Sequence, residues 1–127
     1  MTNVMHTVLV VEDEEELRES MRDLLEDDGF VVVTARDGRE ALDALARIDH
    51  LCVVLLDLLM PRMNGWEFLD ELRARPQLTH VPVVVHSSAP GGAPAGATRV
   101  LSKPLQPERL LSVIREYCDR RGGLPRR

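Results

Sequence analysis

The stretch VVLLDLLMPRMNGW, Val53 to Trp66, completes an unbroken apolar run, Cys52 to Leu56, that stops at an acid, Asp57. Leu58, Leu59 and Met60 follow at once, and then Pro61. A short apolar run of this kind is a strand covered on both faces, the pattern of a parallel sheet. An ionised carboxylate buried without partners costs several kcal/mol. Asp57 therefore either caps the strand at the surface or has its charge held for a purpose.

Working outward, short β-branched runs alternate with helical periodicity. Thr7 to Val11 reads as strand one. Leu17, Met21, Leu24 and Leu25 recur at i, i+4, i+7 and i+8, one face of a helix that Gly29 stops. Phe30 to Thr34 is strand two, and Leu42, Leu45 and Ile48 with Ala41 and Ala44 make helix two. Cys52 to Leu56 is strand three; Phe68, Leu69 and Leu72 mark the inward face of helix three, which ends before Pro76. Val83 to His86 is strand four and Arg99 to Ser102 a weak strand five. Leu110, Leu111, Ile114, Tyr117 and Cys118 form the apolar stripe of the last helix, with Pro107 acceptable in its first turn. Near-continuous apolar strands alternating with amphipathic helices predict an α/β fold with helices on both faces of a parallel sheet.

At 127 residues, 44% hydrophobic and 29% charged, the chain is one ordinary globular domain, 1–127. Its core runs over about 7–120, and the RRGGLPRR end reads as frayed, with 121–127 as a flexible tail. One Trp, one Tyr and two Phe leave Leu, Val and Ala to build the interior. A net charge of −5 argues against nucleic acid as a partner. The apolar run Val8 to Val11 is too short for a signal peptide or a membrane span, so the expected location is the cytoplasm. Cys52 and Cys118, far apart in sequence, read as reduced core residues and not as a disulfide framework.

In open α/β sheets a ligand sits beyond the carboxyl ends of the strands. Glu12 and Asp13 end strand one, Asp57 ends strand three, Ser87 ends strand four and Lys103 follows strand five. Three carboxylates converging there would raise one another's pKa unless a cation joined them. Mg²⁺ suits such an oxygen-rich site and leaves Asp57 ionised to attack phosphorus. Charge on the three equatorial phosphoryl oxygens would then be met by the metal, the Lys103 ammonium and the Ser87 hydroxyl. His86 reads as structural, and His6, His50 and His80 show no metal-ligand spacing.

VLVVEDEEELRE, VVLLDLLMPRMNGWEFL, VPVVVHSSA and LSKPL resemble the four signature segments of the response-regulator receiver domain of two-component signalling, of the single-domain, chemotaxis-regulator-like kind. The resemblance covers about Thr7 to Arg120, and its D-x-x-M-P-x-M-x-G run, Asp57 to Gly65, is highly specific. It implies a flavodoxin-like three-layer fold whose five-stranded sheet has the order 2-1-3-4-5. It implies Asp57 as phosphoacceptor, with Asp13, Asp57 and the Leu59 backbone carbonyl on Mg²⁺ and Glu12 acting through water. Ser87 matches the family's hydroxyl, Ser88 being the alternative, and Lys103 its lysine; a cis Lys103-Pro104 bond is implied as well.

Two departures stand out. Only residues 88–102 separate Ser87 from Lys103, and they include Pro90, Pro94, Gly91, Gly92 and Gly96. These oppose helix by about 1 kcal/mol per Gly and about 3 per interior Pro. The receiver's fourth helix is therefore expected to be missing or reduced to a turn, leaving 88–98 an irregular, mobile loop. Val100 stands where receivers usually carry an aromatic switch residue, and it is expected to be exposed.

The function expected is that of a stand-alone receiver, phosphorylated by a histidine kinase or a histidine phosphotransfer protein. It would signal to an unknown downstream protein or along a phosphorelay, with no membrane or nucleic-acid partner and no chemistry beyond its own phosphorylation and dephosphorylation. A phosphorylation-independent pseudo-receiver is the alternative, although the acids and the lysine that such modules lose are present. An aspartyl-nucleophile phosphatase of the haloacid dehalogenase type is disfavoured, because Leu59 stands where the general-acid Asp is required.

Overall fold

The computed structural model describes residues 7–60, 62–87 and 94–118. Among them are five strands, β1 (Thr7–Val11), β2 (Val31–Ala35), β3 (Leu51–Asp57), β4 (Val83–Ser87) and β5 (Arg99–Ser102), and four α-helices. The helices are α1 (Glu15–Asp27), α2 (Gly38–Leu45), α3 (Gly65–Arg73) and α4 (Pro107–Tyr117), with a 3₁₀ turn at Pro76–Leu78. All strand pairs are parallel, and the sheet order is β2-β1-β3-β4-β5, the expected flavodoxin-like arrangement.

Each strand sends alternate residues to opposite faces. Val8, Val10, Val53, Leu55, Val84 and Leu101 pack under α1 and α4 with Met21, Leu25, Leu110, Val113 and Ile114. Leu9, Val11, Val54, Leu56, Val83 and Val85 pack under α2 and α3 with Ala41, Leu45, Phe68, Leu69 and Leu72. Burying each of these larger side chains contributes about 1.5–3 kcal/mol, which docks helices too short to persist alone.

Local chemistry sets the helix ends. The Asn64 side chain accepts the Glu67 N–H at 2.9 Å while the Glu67 carboxylate accepts the Asn64 N–H at 3.0 Å, a reciprocal cap that starts α3. Asp37 starts α2 by accepting the Glu40 N–H at 2.9 Å. Gly29, at φ 95°, turns the chain out of α1. Pro107 occupies the first turn of α4, where its missing N–H costs nothing.

The connection from β4 to β5 has no helix in its described part, 94–98. Arg73, at the end of α3, stitches it down instead. Its guanidinium donates to the carbonyls of Gly96 at 2.6 Å, Val81 at 2.8 Å and Thr79 at 3.1 Å. Thr98 adds a reciprocal pair with Val83, through its N–H at 2.8 Å and its hydroxyl at 2.9 Å. Residues 88–93, Ser88 among them, and the 121–127 tail lie outside the described residues. Val100 is exposed as expected, and the Lys103-Pro104 bond is cis.

One expectation is overturned. Cys52 and Cys118 are a disulfide pair with Cα atoms 5.4 Å apart, not two reduced core thiols. Cys52 lies near the amino end of β3, and Cys118 caps α4, which runs back antiparallel to the strands. Their 66-residue separation is closed by the packing of α4 on the sheet. Asp28 and Arg115 tie the same end of α4 to α1, with Arg115 Nε 2.8 Å from Asp28 Oδ2.

Candidate functional site

The alternation that builds the core also builds the site. Two residues beyond Val10, Leu55, Val84 and Leu101 come Glu12, Asp57, His86 and Lys103. All four therefore continue one face of the sheet, at the carboxyl ends of β1, β3, β4 and β5. Ser87, the last residue of β4, is also buried at the same carboxyl edge of the sheet.

Lys103 Nζ stands 3.4 Å from Asp57 Oδ1 and 3.5 Å from Glu12 Oε1, joining the two carboxylates. Glu12 is 1% exposed and Asp57 3%, so both charges are held out of water. Burial pushes the Glu12 carboxyl up from 4.5 to about 7, with Asp57 and Asp13 adding repulsion; the Glu14 N–H and Lys103 oppose it. Burial likewise raises Asp57 above its usual range, against the pull of Lys103 and of the Leu59 N–H. Asp13 lies at the exposed rim, close enough to repel both carboxylates. The Lys103 N–H donates to the Ser87 carbonyl at 3.2 Å, fastening the end of β4 to the lysine loop.

Two loops hold the phosphoacceptor candidate in place. The Gly65 N–H donates to the Leu58 carbonyl at 2.9 Å, and a Cβ at Gly65 would lie 2.6 Å from the Asp57 carbonyl oxygen. Only glycine lets α3 start this close to the end of β3. Buried Asp37 is ion-paired to Arg62, which has a positive φ of 63°, and the Gly38 N–H donates to the Met63 carbonyl at 3.0 Å. These contacts join the loop after β3 to the start of α2.

His86, read as structural at the end of strand four, pairs with Asp57 in register, is fully buried, and lies with Nδ1 3.7 Å from Glu12 Oε1. Burial first, and the Lys103 ammonium second, push its imidazole down from 6.5 to about 3, so it is neutral at pH 7. The signal was available in its parity with Val84, which places its side chain on the face of Asp57.

The donor set suits a hard divalent ion. Glu12 Oε1 is buried with no hydrogen-bond partner, Asp57 is desolvated beside it, and the rim carboxylate of Asp13 is free to add charge. Mg²⁺ would relieve the repulsion that raises Glu12 and Asp57.

The family model for the response regulator receiver domain matches residues 8–115. The chain belongs to the response-regulator receiver family. It is 36% identical over 122 residues to the transcriptional regulatory protein CpxR of Escherichia coli, covering 91% of this chain and 50% of CpxR. It is 34% identical over 117 residues to the polar-differentiation response regulator DivK of Brucella ovis, covering 87% of this chain and 94% of DivK. The chemotaxis response regulator CheY4 of Vibrio cholerae superposes with a TM-score of 0.81 at 35% identity, covering 91% of this chain and all of CheY4. The receiver thus spans about half the length of CpxR and nearly all of DivK. No helix among its described residues is long and apolar enough to cross a membrane.

Proposed function

We propose that this receiver takes a phosphoryl group on Asp57 from a histidine kinase or a histidine phosphotransfer protein and passes the signal on through protein contact or phosphorelay. The observation that carries the assignment is the convergence of Glu12, Asp57 and Lys103 at adjoining strand ends, with Lys103 Nζ 3.4 Å from the Asp57 carboxylate. An Asp57 oxygen attacks phosphorus, and the bond to the donor's leaving group breaks as the aspartyl phosphate forms. Lys103 neutralises developing charge on one phosphoryl oxygen, and the Ser87 hydroxyl donates to another. Asp13, Asp57 and the Leu59 carbonyl would hold Mg²⁺, with Glu12 acting through water. When bound, the ion neutralises a further phosphoryl oxygen and lowers the mutual repulsion of the acids. The receiver's own chemistry is limited to gaining and losing this group, and the cytoplasm, where such donors work, is the proposed location, a reducing compartment that opposes the Cys52–Cys118 bond.

Asp57→Asn tests the assignment, because the amide keeps the shape and loses the nucleophile. With acetyl phosphate and Mg²⁺, intact-mass analysis should show a phosphoryl adduct on the parent and none on the variant. An adduct of equal yield on Asp57→Asn would overturn the assignment, provided that both proteins unfold at similar temperatures.

A further inference from the structure

His86 is a polar ring at the end of a fully buried strand segment, Val83–Ser87, and the receiver chemistry above makes no use of it. Both of its ring nitrogens lack a hydrogen-bond partner, as does Glu12 Oε1 beside it. The 3.7 Å between Nδ1 and Oε1 is too long for a hydrogen bond between them. Leaving buried polar atoms unpaired is costly, and Glu12 Oε1 with the ring nitrogen beside it points to one group that would satisfy both.

Glu12, Asp57 and His86 each offer one ligand atom, and these atoms all lie within 4.8 Å of one another. Tetrahedral zinc, bound at about 2.0–2.2 Å, sets its ligand atoms roughly 3.3–3.5 Å apart. The Glu12–His86 separation is within a few tenths of an ångström of that spacing. One imidazole with two carboxylates suits zinc and similar borderline ions, whereas Mg²⁺ takes oxygen ligands and keeps several waters. The Lys103 ammonium now lies against the same two carboxylates. It is part-exposed on a flexible stem, so it can withdraw when a stronger cation arrives.

We propose that Glu12, Asp57 and His86 form a site for an imidazole-accepting divalent ion of the zinc type, and that filling it withholds Asp57 from phosphoryl transfer. An ion held by Glu12, Asp57 and His86 takes the place of Lys103 against the two carboxylates and so displaces the lysine that steadies the phosphoryl oxygens. This consequence rests on Asp57 being the phosphoacceptor; the binding itself does not, and the two are measured separately.

The binding arm titrates zinc chloride into the full, oxidised chain at pH 7 by calorimetry and repeats the titration with MgCl₂. One zinc should bind the parent, with affinity at least about tenfold weaker in His86→Val, since losing a direct ligand costs no less than losing an outer-shell partner. The Mg²⁺ affinity of that variant should stay within about twofold of the parent's, because its hard-oxygen ligands are intact. In the parent, the His86 ring ¹⁵N resonances should move as zinc is added, a readout that needs no variant. Equal zinc affinity in parent and His86→Val, or unmoved ring resonances, would overturn the site. The second arm labels the parent with acetyl phosphate in excess Mg²⁺, with and without one equivalent of zinc. Labelling should fall and return on chelation; undiminished labelling would overturn the withholding. A parent that never labels, even without zinc, would count against the phosphoacceptor assignment and leave the binding arm to decide the site.

Discussion

Glu12 and His86 are displaced in opposite directions by the same burial, and this makes the pH dependence of stability a test of the pocket. Between pH 4.5 and about 7 the folded protein holds a proton on Glu12 that the unfolded chain releases. Stability attributable to Glu12 is therefore fully present below 4.5 and is lost as pH rises toward 7, at about 1.4 kcal/mol per pH unit. Between pH 6.5 and about 3 the unfolded chain holds a proton that folded His86 refuses. Its contribution is present above 6.5 and is lost as pH falls. In the shared window, pH 4.5–6.5, the two slopes cancel in the parent. Glu12→Gln keeps an oxygen for the Glu14 N–H, 3.0 Å away, and removes the buried charge. The metal-free variant should match the parent near pH 4.5, gain on it through pH 7, and exceed it above that by about 3 kcal/mol. His86→Val should gain on the parent in the other direction, as pH falls from 6.5 toward 3. Urea unfolding of all three proteins with a chelator present, from pH 4 to 9, measures both difference curves, in which groups common to the proteins drop out. If Glu12→Gln is no more stable than the parent at pH 8, or both difference curves slope the same way, the account of the pocket's electrostatics is wrong.

Reduction and the packing of α3 supply two further tests. The Cys52–Cys118 bond closes a 66-residue separation, and chain-entropy scaling assigns such a link about 4 kcal/mol of stability. Urea unfolding with and without dithiothreitol should show a loss of that order, and equal midpoints together with two alkylatable thiols in untreated protein would refute the pairing. Gly65→Ala forces a methyl group against the Asp57 carbonyl and the Leu58 Cα, at 2.6 and 2.7 Å. It should cost about 2–3 kcal/mol by overpacking, and a chemical-denaturation loss under about 0.5 kcal/mol would show that α3 can retreat.

The strands were legible because burial on both faces leaves long apolar runs that few other structures produce. Thr7–Val11 and Arg99–Ser102 have the expected bounds, while β2 begins at Val31, one residue later than read, and ends on Ala35. The α2 helix stops at Leu45, short of Ile48, yet Ile48 still packs on the core, so its apolar spacing reported burial and not helix. Asp57 stood out because an acid after such a run is either a surface cap or a charge held in place, and its burial excludes the first. The disulfide was not legible, since its two cysteines meet only through the antiparallel return of α4, which leaves no trace in their spacing. His86 was half legible: its place at the end of strand four was read, but its side was not. Parity within a parallel strand is as informative for polar residues as for apolar ones. Glu12, Asp57, His86 and Lys103 are four instances of one rule, each two residues past a core position on the same face.

That rule also explains why the pocket is costly and why the cost is useful. Elsewhere, local signals and tertiary packing agree: Asn64 caps where α3 must begin, Pro107 stands where a missing N–H is harmless, and Arg73 donates to the Val81 and Gly96 carbonyls beside the helix-free described part of the β4–β5 connection. At the carboxyl ends of β1, β3 and β4 they conflict, because the strands carry acids and an imidazole into volume that their neighbours fill with Val and Leu. A cation that relieves the conflict in the folded form alone stabilises that form by mass action. Beside the pocket, the Ser87 carbonyl takes the Lys103 N–H, and the register partner of Ser87 is Ser102 at the end of β5. Two residues back along β5 stands exposed Val100. Lys103 and the exposed Val100 are thus joined by a short, unbroken length of backbone, with no helix beside it among the described residues 94–98.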